Sequence, residues 1–437
     1  MAQSSAQILR AEVLSGADSA WLRMEQPQNQ MVITGMLKLG HSPDWKVFEE
    51  VIRKRLLIFD RFRQRVLNPD TIPIWVPDHH FELSYHIRQV DLSDRPHQPA
   101  IQEYVEEMLS NPLDFSRPLW ELHLLETRDQ TTLVAKLHHC IADGIALVRI
   151  LLSLTTVSAD GAYFDPIREY KPVRRTGKQH AGLFSTAGEG IKRIIKALYK
   201  FVSMPADTAT HVKGELQTIK TAAWSAPVPL ADVKALAAKY KTTINDILLW
   251  LACGALRRYL TTTGEKPEGA SSFRVSIPVN LRYGDDTVMT GNQFGLVFLE
   301  LPVGVENSQE RLRLVQQRMN EIKASGEAWV AYGVLSLLGK MPLVVEQFVV
   351  KFLSSKCSAV VTNVPGPRRP LFLAGAKIED IMFWVPKSGM LGVGISLISY
   401  NGGVRIGIAS DAGRVPEPDL ITRYFVELFD SETANKT

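Results

Sequence analysis

The spacing of apolar and polar positions along this 437-residue chain changes repeatedly, and each change marks a candidate element. Residues 12–26 carry Trp21, Leu22 and Met24 among polar neighbours and predict a short helix. Residues 31–39 predict a strand and 45–57 an amphipathic helix. Strands are predicted at 63–67 and 81–90, and a helix at 97–109. Residues 120–126 and 131–138 predict a hairpin, because the polar Arg128, Asp129 and Gln130 lie between them. A helix over 143–156 closes this first group.

Residues 158–225 differ in character. Positions 171–178 are basic, loop-like and poor in apolar residues. In 191–202, Ile191, Ile194, Ile195, Leu198 and Val202 share one helical face, with Lys192, Arg193, Lys196 and Lys200 mostly elsewhere. Such a helix lies in a membrane interface or packs on its own protein as a linker, and both readings stay open. A second group follows, with helices predicted at 230–239, 245–260, 307–324, 334–353 (interrupted at Pro342) and 419–428. Strands are predicted at 273–278, 294–301, 359–363, 378–385, 392–400 and 404–409. Helices and strands that do not strictly alternate predict an α+β chain of two lobes, not a doubly wound sheet. The division is 1–157, a basic linker 158–225, and 226–437.

Composition narrows the class. A hydrophobic content of 45% and a charged content of 22% belong to a folded globular chain with a large core. The formal charge of +4 favours contact with anionic groups, such as CoA phosphates or lipid headgroups, but no nucleic-acid motif accompanies it. Cys140, Cys253 and Cys357 are too sparse for a disulfide framework and fit a reducing compartment, hence a cytoplasmic protein. No apolar h-region opens the chain, and no apolar run reaches the roughly 18 to 20 residues that span a bilayer. The expectation is a soluble protein or one peripheral to the inner membrane or lipid inclusions, of undetermined oligomeric state.

The candidate chemistry sits at His138-His139-Cys140-Ile141-Ala142-Asp143-Gly144, after the mostly apolar run Leu133-Val134-Ala135-Lys136-Leu137. A strand delivers an imidazole to a turn, and imidazole exchanges protons near neutral pH. Neighbours in an extended segment face opposite ways, so one histidine reaches a cleft. His139, nearer the turn, is the expected general base, with His138 as support. Asp143 either bonds His139 or holds the turn, and the turn is favoured because Gly144 follows. Gly144 would permit unusual backbone angles and leave room for a substrate. Cys140 reads as a packing residue, and the second pair, His79-His80, as surface or structural. Adjacent histidines diverge and no further ligands complete a set, so no metal site is expected. Walker A, Gly-x-Ser-x-Gly and G-x-G-x-x-G signatures are absent from the sequence.

Residues 138–144 match the HHxxxDG signature of CoA-dependent acyltransferases and of peptide-synthetase condensation domains. Further segments narrow the resemblance to the bacterial wax ester synthase/diacylglycerol acyltransferase family. Pro118-Leu119-Trp120 resembles its PLW motif, and Asn245-Asp246 its ND motif. Ile277-Pro278-Val279-Asn280-Leu281-Arg282, Gly291-Asn292-Gln293-Phe294-Gly295 and Thr362-Asn363-Val364-Pro365-Gly366-Pro367 also correspond, as does the Asp18 to Glu25 spacing. The resemblance runs in order from about residue 15 to 425.

It implies two chloramphenicol-acetyltransferase-like lobes, each a mixed sheet with flanking helices, and an active-site tunnel between them. Acyl-CoA and an acceptor alcohol would meet at His139, with acyl-CoA a co-substrate and no cofactor needed. Asn245 is the candidate for polarising the tetrahedral centre, with helix N-cap as the alternative. Pro118, Leu119 and Trp120 would support an acyl channel, while Glu25, Asp246 and Asn363 join them as candidate substrate-binding residues, Asn363 with a structural crossover as its alternative. Two other functions remain open: a condensation-type enzyme using a carrier-protein acyl donor, and a lipid-binding scaffold with a dead site.

Overall fold

A computed structural model describes residues 11–165, 199, 203–208, 210–269, 271–281, 292–325 and 327–434. The basic stretch 171–178, the amphipathic segment 191–202 apart from Tyr199, Arg282 and Gly291 lie outside the described residues.

Two seven-stranded mixed sheets organise the chain. The first runs Ile87–Leu92, Trp120–Thr127, Thr131–His138, Val32–Leu39, Ala376–Trp384, Phe372–Leu373 and Thr155–Thr156. Its central strand Thr131–His138 is buried along its whole length, flanked by antiparallel partners on both edges. Burial of side chains on both faces of the strand explains why its sequence is mostly apolar instead of alternating. Lys136 is the exception, and its ammonium reaches the Asn111 carbonyl. The second sheet contains Val228–Pro229, Gly403–Asp411, Val393–Tyr400, Ala359–Pro365, Phe273–Asn280 and Phe294–Leu301 in that order, with Lys220–Trp224 also on Gly403–Asp411. Each sheet has its own hydrophobic core.

The lobes are interlocked. Strands Phe372–Leu373 and Ala376–Trp384 come from the C-terminal part of the chain yet complete the first sheet, with Trp384 opposite Thr34. This crossover cuts through the 226–437 division, because a strand's pairing is decided by which edge it meets and not by its place in the chain. A small third sheet, Glu12–Val13 with Ile74–Pro77 and Gln64–Leu67, was not anticipated.

Most predicted elements are present with shifted ends. The helix expected over 12–26 is Gly16–Arg23, and the one over 45–57 is an α-helix at Trp45–Val51 that continues as a π-turn at Ile52–Leu56. The strand expected at 81–90 begins instead with the helical turn Leu83–His86. The proline-interrupted helix is a hairpin of two, Glu327–Leu338 and Leu343–Ser354, since Pro342 cannot continue a helical ladder.

Candidate active site at the lobe interface

Strand Thr131–His138 ends where two backbone donors find acceptors outside it: His138 N–H donates to the Leu119 carbonyl at 3.0 Å, and His139 N–H to the Met31 carbonyl at 2.7 Å. The chain then turns into the helix Gly144–Ser153. Asp143 caps that helix, accepting from Ala146 N–H at 2.9 Å, and its other oxygen accepts from Gln293 N–H at 3.0 Å. Its carboxylate therefore ties the turn to the opposite lobe. Gly144 does not adopt a left-handed backbone; a Cβ built there meets nothing within 4 Å. The expectation of unusual angles fails, while that of open space holds.

His139 stands at the seam between the lobes. Its ring stacks on Trp21, 4.0 Å between centroids at 17°, and tilts against Phe294 at 5.6 Å. Nδ1 lies 2.9 Å from Oδ1 of Asn292. The Asn292 Nδ2 donates to Asp18 Oδ1 at 2.7 Å and to the His139 carbonyl at 2.8 Å, and its backbone N–H donates to the same Asp18 oxygen at 3.0 Å. An ionised Asp18 and a carbonyl can only accept, so the amide must present its oxygen to the imidazole. His139 then carries its proton on Nδ1, and the Nε2 lone pair is the one left for a substrate. Burial pushes Asp18 up to about 6 against the pull of the Asn292 hydrogen bonds, so it is ionised at neutral pH. Burial pushes His139 down to about 4 against the pull of the nearby Asp143, so burial keeps the resting ring neutral.

His138 has a different task. Its Nδ1 accepts from Cys140 N–H at 3.1 Å, so its proton sits on Nε2, 3.4 Å from Glu25 Oε2 but out of line for a hydrogen bond. Glu25 in turn accepts from Met31 N–H. His138 and Glu25 thus hold the strand end that delivers His139, and Glu25 faces a histidine rather than a substrate. Cys140 is buried and its thiol is pushed well above its usual range, which fits packing. His79 and His80 are both exposed.

The other expected site residues sit elsewhere. Leu119 supplies the acceptor for His138, while Pro118 is buried beside it. Trp120 is fully buried in the first lobe's core, stacked on His86 at 4.5 Å, edge-on to Phe62, its Nε1–H donating to the Phe62 carbonyl at 3.0 Å. It braces the core and does not line a channel. Thr243, not Asn245, caps the helix Ile244–Thr262, and Asp246 completes the capping box, so Asp246 is a helix-start residue and not a substrate ligand. Asn245 Oδ1 accepts from Asn363 Nδ2 at 3.0 Å. Among the described residues, no hydrogen bond joins that pair to His139.

Asp18, Trp21, Asn292 and Phe294 were missed as site residues. Asp18 and Asn292 stand in segments with a visible signal, but sequence separation hid their meeting at one imidazole. A cavity of about 520 Å³ opens at the lobe boundary beside Arg23, Met24, Gln347, Val350, Lys351 and Gly389. Its lining reaches the residue next to Glu25 and does not include His139.

Residues 14–228 match the wax ester synthase/diacylglycerol acyltransferase catalytic domain, and residues 290–431 match the WS/DGAT C-terminal domain. The chain belongs to that family. It is an acyltransferase. A probable diacylglycerol O-acyltransferase of Mycobacterium tuberculosis is 29% identical over 433 residues, covering 94% of this chain and 93% of the relative. A putative diacylglycerol O-acyltransferase of Mycobacterium bovis shows the same figures, 29% identical with 94% and 93% coverage. The fold is similar to that of the wax ester synthase/diacylglycerol acyltransferase from Marinobacter aquaeolei, with a TM-score of 0.69 and 23% identity over 97% of this chain and 100% of that one. The first condensation domain of the calcium-dependent antibiotic synthetase shares it too, with a TM-score of 0.64 and 16% identity over 98% and 97% of the two chains. The two-lobed α+β architecture expected from the sequence is thus the family's own.

Proposed function

We propose that the chain moves a long-chain acyl group from acyl-CoA to the hydroxyl of diacylglycerol or a fatty alcohol, giving triacylglycerol or wax ester. His139 Nε2 takes the proton from the acceptor hydroxyl as its oxygen attacks the thioester carbonyl carbon. The C–O bond forms, and the tetrahedral centre collapses with loss of the C–S bond. The CoA thiolate then takes the proton back from the imidazolium. Both electron pairs move between substrates and imidazole, so the reaction asks for no cofactor and no acyl-enzyme.

The Asn292–His139 hydrogen bond carries this reading, because it leaves Nε2 as the basic nitrogen. The similar proteins are named for diacylglycerol and wax ester chemistry, which favours a lipid alcohol as acceptor, and the intact His139 array argues against a dead-site scaffold. A lipid acceptor also favours peripheral attachment to a membrane or inclusion; no helix among the described residues is long and apolar enough to cross one. The test follows thiol release from palmitoyl-CoA with hexadecanol or diacylglycerol, against a carrier-protein thioester as second donor. Thiol release with either alcohol, lost in His139→Ala, is expected. No release with any alcohol defeats the proposal, and turnover from the carrier donor alone transfers it to the condensation reading.

A further inference from the structure

Eleven large hydrophobic side chains are exposed among the described residues, and four of them, Leu337, Val344, Val345 and Phe348, lie within twelve positions of one helical hairpin. The other seven are scattered over the chain. Within the helix Leu343–Ser354, Val344, Phe348 and Lys351 follow i, i+4, i+7 spacing and share one outward face, with Val345 beside them. Phe348 is 72% exposed and Val344 77%. Lys340 in the turn and Lys351 on the helix flank the patch, and both are exposed. From 333 to 351 the exposed residues include no carboxylate: Glu346 is turned inward, 1% exposed, toward Arg23 at 3.5 Å. The exposed Glu215 lines the same cavity as Lys351, but the exposed charges of the hairpin itself are the two lysines, and an apolar ridge so charged matches the chemistry of an anionic lipid interface.

The hairpin is also built onto the active site. Its backbone packs on the helix Gly16–Arg23 so closely that a Cβ at Gly16 would lie 2.0 Å from the Ser336 carbonyl oxygen, and one at Gly339 would lie 1.8 Å from that of Gly16. That same short helix carries Asp18 and Trp21 to His139. The inner edge of Leu343–Ser354 borders the 520 Å³ cavity through Gln347, Val350 and Lys351.

From these observations we infer that the hairpin Glu327–Leu338/Leu343–Ser354 is the face by which the protein docks on an anionic phospholipid surface. Val344, Val345, Phe348 and Leu337 enter the acyl boundary, and Lys340 and Lys351 meet headgroup phosphates. A lipid alcohol would pass from that surface toward the adjoining cavity. The inference rests on the lipid-acceptor reading above and names the partner of that same site.

The test uses the full chain and vesicles of equal parts phosphatidylglycerol and phosphatidylcholine, with pure phosphatidylcholine as control, read by co-sedimentation without substrate. Binding to the anionic vesicles is expected, weakened at least about tenfold in the double variant Val344→Ser/Phe348→Ser. Lys340→Gln/Lys351→Gln is expected to weaken it too and to flatten its salt dependence. The apolar double variant should keep wild-type melting temperature and wild-type turnover of a short, water-soluble acyl-CoA and alcohol, and the lysine double variant should keep the wild-type melting temperature. Wild-type vesicle binding by the apolar variant overturns the inference, as does loss of soluble-substrate turnover in it. A wild-type dimer in light scattering that the apolar variant makes monomeric assigns the patch to a second copy and overturns it as well. Vesicle binding needs no turnover, so failure of the acyltransferase reading shows separately as absent thiol release.

Discussion

Oδ1 of Asn292 lies 2.9 Å from Nδ1 of His139, although 153 positions separate the two in the chain. That contact decides which nitrogen of the imidazole is basic, because Asp18 and the His139 carbonyl hold the other end of the amide. Asn292 is thus a positioning residue. Asn292→Ala should lower kcat by about 10² to 10⁴ with a smaller effect on KM, since the base loses its fixed tautomer while the substrate's other contacts remain. Steady-state kinetics on the purified variant check it; an unchanged kcat removes Asn292 from the mechanism.

Asp18→Asn keeps the size of the side chain but offers an N–H where only acceptors stood. The neutral amide accepts more weakly than the carboxylate, so the orientation of the Asn292 amide, and with it the His139 tautomer, is held mainly by the His139 carbonyl. A kcat loss of at least about tenfold is expected, with folding intact by circular dichroism. If Asp18→Asn turned over like the wild type, the charge of Asp18 would have no part in orienting the Asn292 amide.

The pH profile should carry the mark of burial. A base protonated only below about 4 stays competent through the range where an ordinary imidazole would already be charged. Proton binding to the imidazole removes the base only as pH nears about 4, so any loss of kcat/KM near pH 6 belongs to protonation of Asp18, whose carboxylate orients Asn292. A profile of kcat/KM over pH 4 to 8, each point corrected for stability, tests this. An acid limb centred on 6.5 that persists in Asp18→Asn would show that the working imidazole is solvated.

The two adjacent histidines should separate by the kind of damage their loss does. His139→Ala should remove nearly all turnover, about 10² to 10⁴ or more, with little change in melting temperature. His138→Ala removes a fully buried ring that accepts from Cys140 N–H, and should destabilise the fold by about 1–3 kcal/mol while leaving residual activity. Equal stability loss in both variants would contradict the division of labour.

Trp120 tests the corrected reading of the PLW segment. Trp120→Ala should cost about 3–5 kcal/mol of stability, through a core cavity beside His86 and Phe62. Trp120→Phe should lose less and leave acyl-chain preference unaltered. A change in chain-length preference without a stability change would return Trp120 to the channel.

The sequence alone carried the lobe count, most elements and the motif that holds the candidate base. Strand periodicity, Pro342 as a helix stop and the His-His-x-x-x-Asp-Gly spacing are local properties, and local stereochemistry makes them readable. It misread Trp120, Asp246 and the backbone at Gly144, because a motif's membership does not reveal which way its side chain points. The tertiary structure alone brought Asp18, Trp21 and Asn292 to the ring of His139 and sent Ala376–Trp384 across into the first sheet. Those contacts join residues hundreds of positions apart, and their register follows from how two sheets close against each other, which no local pattern encodes.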